Sequence, residues 1–130
     1  MFTSIRTSFE NKIIVTDLTK KLNLGPENVI ARLAFAFSIS SNIKFNLSDV
    51  QDSKGKEYSK SVLFGNNSLY YISMICIRYN VYKTDKDIPK YIKIHIDHGL
   101  GIINNELKAS PNLSGFDFLV DKIDSGIKYL

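Results

Sequence analysis

Residues 2–38 read FTSIRTSFENKIIVTDLTKKLNLGPENVIARLAFAFS, and this stretch decides the fold. Its opening, Phe2 to Arg6, is rich in β-branched and aromatic residues and predicts a short strand. Thr7-Ser8-Phe9-Glu10 has the spacing of a capping box, with Thr7 as the cap and Glu10 reaching back to it. A helix is expected from about Ser8 to Leu22, because Ile14, Leu18 and Leu22 recur on one face while Lys12, Lys20 and Lys21 lie elsewhere. Asn23-Leu24-Gly25 ends it, with Gly25 free to turn left-handed. Pro26 fits the first position of a second helix, where a missing N–H costs nothing, and Glu27 suits the positive end of its dipole. Ile30, Leu33, Ala34 and Phe37 form one stripe that carries this helix to about Ser38.

Further along, Ile43 to Leu47 alternates and predicts another short strand, and the polar stretch Ser48 to Lys60 predicts an exposed loop or ribbon. A third helix should follow Asn66-Asn67-Ser68 and run to about Tyr82, with Leu69, Ile72, Ile75 (or Cys76) and Tyr79 as its apolar stripe. Asp87 can cap a fourth helix with Pro89 just inside; Ile88, Ile92 and Ile96 recur every fourth residue, and Gly99 is its expected stop. Ser114-Gly115 precedes a last helix, with Phe116, Leu119, Val120 and Ile123 expected inward. The expected fold class is mainly α: one small α-helical domain over residues 1–130, with one or two short strands and a ribbon-helix-helix-like unit at the N-terminal end.

Composition agrees with a globular chain. Of 130 residues, 44% are hydrophobic and 23% charged, so a core large enough to dispense with disulfides or metals is available. The lone Cys76 lies in an apolar run and reads as a small core hydrophobe in a reducing, cytoplasmic setting. Neither a signal-peptide pattern nor an apolar run of about twenty residues stands in the sequence, so no membrane association is expected. Seventeen Lys and Arg against thirteen Asp and Glu give a net charge of +4, a mild bias toward anionic partners.

The chemistry-bearing residues are few. His95 and His98, with Asp97 between them, stand at helical spacing i and i+3 and could share a metal. A third firm ligand is missing and the spacing is not HExxH, so a surface or helix-end histidine pair is the favoured reading. Gly99-Leu100-Gly101 lacks the third glycine of a dinucleotide fingerprint and reads as a helix stop and turn. No catalytic residue, metal site or cofactor is therefore expected.

Three basic features point toward nucleic acid instead. The first is the strand-helix-turn-helix unit, which resembles the ribbon-helix-helix pattern, in which two chains pair their strands; it would turn Ser4 and Arg6 outward. The second is Lys54, Lys56 and Lys60 around Gly55. The third is Lys83, Lys86, Lys90 and Lys93, where the last three share a helix face beside Tyr82 and Tyr91. A plain packing unit, a solvated loop and a solvated helix face are the respective alternatives.

Several short stretches together resemble the DndE family: Ile5-Arg6-Thr7-Ser8, then Leu24-Gly25 leading into Asn28-Val29-Ile30-Ala31-Arg32-Leu33-Ala34, then Gly55-Lys56-Glu57-Tyr58 with Leu63-Phe64-Gly65, and last His95-Ile96-Asp97-His98-Gly99-Leu100-Gly101. The resemblance spans about residues 5–103. It implies a subunit of the DNA phosphorothioation machinery, in which sulfur replaces a non-bridging phosphate oxygen. It further implies a homo-oligomer, expected to be a tetramer, that binds double-stranded DNA with a preference for nicks. The implied protein partners are sulfurtransferase-like and ATPase subunits. The weighed alternatives are a ribbon-helix-helix transcription regulator, a metal-dependent DNA-nicking enzyme built on His95, Asp97 and His98, and an adaptor that never touches DNA.

Overall fold

The N-terminal strand finds its partner inside the same chain. In the computed structural model, which describes residues 2–128, β1 (Ser4–Arg6) pairs antiparallel with β2 (Glu57–Ser59). The register sets Ser4 opposite Ser59, Ile5 opposite Tyr58 and Arg6 opposite Glu57. Period-two alternation then buries Ile5 and Tyr58 and leaves Arg6 and Glu57 toward water. The strand-helix-helix order is therefore present, but the ribbon that a ribbon-helix-helix protein builds from two chains is here built from one.

Helix α1 (Phe9–Leu22) begins one residue later than the capping-box spacing implies. Ser8 is the cap, its Oγ accepting from the Asn11 amide, while Thr7 is buried and its hydroxyl donates to the Lys56 carbonyl. Asn23, at φ 50° and ψ 45°, takes the left-handed closing position expected of Gly25. Helix α2 (Glu27–Ser40) has Pro26 as its cap rather than its first residue and runs past Ser38. Residues 43–47 form no strand: Asn46 caps a single 3-10 turn at Leu47–Asp49, and Arg78 donates to the carbonyls of Ile39 and Ile43 to hold the segment.

After β2 the chain turns through α3 (Lys60–Phe64) and a 3-10 turn into α4 (Ser68–Tyr79), which buries Ile72, Ile75 and Tyr79 but leaves Leu69 exposed. Helix α5 (Ile88–Ala109) is the centre of the molecule; α2 is its main neighbour, with α1 and α4 on its flanks. It does not stop at Gly99. A Cβ there would lie 1.8 Å from the Ala34 carbonyl oxygen, so the glycine lets α2 and α5 touch backbone to backbone. The same logic holds Gly55 against α1's start, where a Cβ would meet the Ser8 carbonyl oxygen at 2.1 Å.

Ile30, Ala34 and Phe35 of α2 meet Ile92, Ile96, Leu100 and Ile103 of α5 in one core cluster with Leu18. The last helix, α6 (Gly115–Ile127), turns only Phe118 fully inward, beside Phe37. Phe116, Val120 and Ile123, expected in the core, lie on its water-facing side. Among the described residues no helix is long and apolar enough to cross a membrane.

Candidate nucleic-acid interface

The three basic features are far apart in sequence, yet the β-ribbon draws most of them to one face. Burial of Ile5 turns its neighbours Ser4 and Arg6 outward, where both donate to the Glu57 carboxylate at 2.8 and 3.0 Å. Lys60 opens α3 directly after β2, with its ammonium 5.5 Å from the centre of the Phe2 ring. Phe2 in turn walls a hollow of about 420 Å³ whose border includes Lys83, Asp85 and Lys86, just before α5, and Pro89 in its first turn. Pro89 separates this from a shallower hollow of about 130 Å³ between Arg6, Ser53, Lys90 and Lys93. Arg6, Lys60, Lys83, Lys86 and Lys90 thus border one continuous surface, and Lys54 is exposed next to Ser53.

Their states of pairing differ. Lys90 reaches Asp87 at 3.4 Å and Arg6 reaches Glu57 at 3.0 Å, both in the open. Exposed pairs of this kind are worth about 0–1 kcal/mol, so a phosphate can displace either carboxylate. Among the described residues, Lys54, Lys60, Lys83 and Lys86 enter no ion pair. Asp52, in the same loop, is an anion fastened to the backbone: it accepts from the Phe9 and Lys54 amides at 2.9 and 3.0 Å. The Phe9 amide, chiefly, holds its carboxyl below the usual range.

Two of the sequence-derived cations are turned to carboxylates within the chain. Lys56 points across to Glu27, 3.6 Å away, at the start of α2. Lys93 is 5% exposed and faces inward: its ammonium donates to Asp97 Oδ2 at 3.1 Å and to the Asp52 carbonyl at 2.7 Å. The other carboxylate oxygen of Asp97 accepts from Asn11 Nδ2 at 2.6 Å and from the Ser8 amide at 3.2 Å. This cluster ties the start of α1, the loop at 52 and α5 together. Two of the three Lys93 ammonium protons are engaged there, so the side chain serves the interior first while still bordering the hollow beside Arg6.

The histidines are structural neighbours of that cluster, not a helix-end pair. His95 is fully buried in mid-helix, and its Nδ1 lies 2.7 Å from Ser38 Oγ while its Nε2 lies 2.7 Å from the Tyr79 hydroxyl. Burial pulls its pKa down to about 4, so it is neutral at physiological pH. His98 Nδ1 shares the same serine at 2.8 Å, and burial lowers its pKa as well. Among the described residues no group of three or more His, Cys, Asp or Glu side chains is placed to hold a metal ion.

Sequence reasoning missed Phe2 as the aromatic wall and Ser38 and Tyr79 as the histidines' partners. The i, i+4 spacing of Lys93 and Asp97 was the visible signal for their pairing in the interior.

Comparison with known proteins now adds the family. A profile described as "DNA sulphur modification protein DndE" matches residues 4–110. A search of curated proteins returns no match. Among solved structures, the fold resembles DndE from Escherichia coli B7A, involved in DNA phosphorothioation modification, with a TM-score of 0.65 and 17% identity over 79% of this chain and 98% of that one. It also resembles a DndE glycine-to-lysine mutant involved in DNA phosphorothioation, with a TM-score of 0.66 and 19% identity over the same shares. The shared mainly helical fold and a profile match running from β1 to the end of α5 together establish that the chain belongs to the DndE family.

Proposed function

We propose that this chain is the DNA-holding subunit of a DNA phosphorothioation system. It would bind double-stranded DNA, nicked duplex above all, as a homo-oligomer, and dock the sulfurtransferase-like and ATPase proteins that carry out the sulfur chemistry. The supporting observation is the convergence of Arg6, Lys83, Lys86 and Lys90 on two adjoining hollows, with Lys60 over the Phe2 ring at their edge and Lys54 exposed next to Ser53, from three separate stretches of sequence. Phosphate contacts from lysine and arginine supply most non-specific DNA affinity and carry no sequence information. A face of this kind suits a subunit that grips the backbone, whatever the sequence. With a net charge of only +4, a single copy offers modest attraction, and a symmetric assembly that aligns several such faces multiplies it. Lys56 and Lys93, being turned to Glu27 and Asp97, contribute through the fold rather than by touching phosphate.

The test is anisotropy titration of labelled intact, nicked and single-stranded DNA with the wild type and with Lys60→Gln/Lys83→Gln/Lys86→Gln. The expected result is preferential nicked-duplex binding that the triple variant weakens at least about tenfold, the size of loss expected on removing several phosphate contacts. Equal affinity of the two proteins would overturn the assignment of this face. Light scattering of the same samples is expected to show an oligomer; a monomer that still binds tightly would remove the assembly from the account.

A further inference from the structure

One wall of the molecule lies outside the basic face and is unused by the reading above. One direction of the hydrogen-bond chain behind it gives every buried proton an acceptor among the described residues. The Phe45 amide donates to the Tyr79 hydroxyl at 3.1 Å, and His95 Nε2, at 2.7 Å, is the neighbour placed to take the tyrosine's own proton. That makes His95 Nε2 an acceptor. In the neutral ring that burial enforces, the proton then sits on Nδ1 and is given to Ser38 Oγ. The serine proton is left for His98 Nδ1 at 2.8 Å, and neutral His98 must carry its own proton on Nε2. Among the described residues no protein group accepts from that Nε2. A relay of four buried or half-buried groups therefore ends in one fixed donor.

That donor belongs to the wall of a hollow. Phe45, Asp49, Gln51, Ile94, Asp97 and His98 line a cavity of about 270 Å³, and Gln51, Asp97 and His98 also line an adjoining one of about 340 Å³ that extends to Glu10 and Asn105. The Phe45 ring stands edge-on to both imidazoles, 5.1 and 4.9 Å away, which keeps it in place as an aromatic wall. The rim is acidic through Asp49 and Glu10, which repels phosphate and accepts from amino groups. The carboxamides of Gln51 and Asn105 can donate or accept. A flat, neutral heterocycle with ring acceptors and an exocyclic amine matches these features. The hollow also lies close to the basic face: Lys93 borders the one and Asp97 the other, four residues or roughly 6 Å apart along α5.

We propose that this hollow receives a single unpaired nucleobase, displaced from a DNA strand whose phosphates lie on the basic face, with His98 Nε2 donating to a ring acceptor. The inference rests on the DNA-binding reading. Enzymes and binding proteins that handle one base pay least for extrusion where the base is mismatched, damaged or already single-stranded.

The experiment uses duplexes with 2-aminopurine beside a nick, whose fluorescence rises when the base leaves the stack, with anisotropy recorded on the same samples. The wild type is expected to brighten the probe several-fold at saturation. His98→Ala and Gln51→Trp, the second placed at an exposed position to fill the hollow, should bind the duplex with near-wild-type anisotropy and leave it dark. His98→Gln, which restores a donor, should recover part of the signal. DNA that binds but stays dark with the wild type, or brightens equally with both blocking variants, would overturn the base pocket while leaving the DNA-binding role intact. Absence of any DNA binding would overturn both. Titration with free deoxyadenosine monophosphate separates the sources: tighter binding of the free nucleotide than of the nicked duplex would mean that the hollow serves a mononucleotide, and the proposal as stated would fail.

Discussion

The first turns of α5 and its middle turns carry similar residues and treat them in opposite ways. At the start, Lys86 and Lys90 stand in water beside Pro89, with Lys90 loosely held by Asp87. One turn further in, Lys93, His95, Asp97 and His98 are packed against α1, α2 and α4, and each finds its partners inside the protein. A lysine at helical spacing from other lysines is therefore no guide to what it touches. The deciding factor is whether another element covers its face of the helix: the loop at 52 accepts from Lys93, whereas among the described residues the Lys86 ammonium enters no ion pair.

That contrast can be broken from either side, and the largest effect is expected at its packing point. Gly99→Ala drives a methyl into the Ala34 carbonyl and should cost on the order of 5 kcal/mol, read as a collapse of the urea midpoint. Lys93→Met should cost about 3–4 kcal/mol, because it strands the Asp97 carboxylate in the interior. A Lys93→Met protein as stable as the wild type would show that the pair is not buried as described.

A pH series probes the histidine relay. With a folded pKa near 4 against 6.5 unfolded, the unfolded chain binds the extra proton between those values. The His95 contribution is therefore complete above about pH 6.5 and is lost as pH falls toward 4, by at most about 3 kcal/mol. Denaturant midpoints that stay flat across that window would refute a neutral, buried imidazole. Ser38→Ala, which deprives both Nδ1 atoms of their partner, should cost about 1–3 kcal/mol. At the other extreme, Lys83→Gln and Lys86→Gln should shift stability by no more than about 0.5 kcal/mol each, since neither enters an ion pair among the described residues.

Much of the fold was legible because amphipathic spacing survives in the sequence. Leu18, Leu22, Ile30, Ala34, Ile72, Ile88, Ile92 and Ile96 are all buried, as their periodicity predicts. The failures share a cause. Gly99 looks like a stop when α5 is read alone; only the approach of α2 shows why a glycine sits in mid-helix. Strand β2 is three residues long with Tyr58 as its single buried residue, too short for alternation to register in a polar stretch. On α6, Phe116 and Phe118 are two residues apart and so face different ways, and hydrophobicity cannot say which one meets Phe37. The interface was legible as charge but not as place. The cations of residues 6, 60 and 83–90 were visible, whereas their convergence depends on the pairing of β1 with β2 and on Phe2 bridging to Pro89.

The claim that these cations form one phosphate-gripping face is tested most directly by the salt dependence of nicked-duplex binding. Wild-type affinity should fall linearly on a log–log plot, with a slope near −0.9 for each phosphate neutralised. Lys60→Gln/Lys83→Gln/Lys86→Gln should flatten that slope by up to about 2.7, whereas the outlying Lys56→Gln should leave it unchanged. Parallel lines for the wild type and the triple variant, or an equal flattening by Lys56→Gln, would contradict the account.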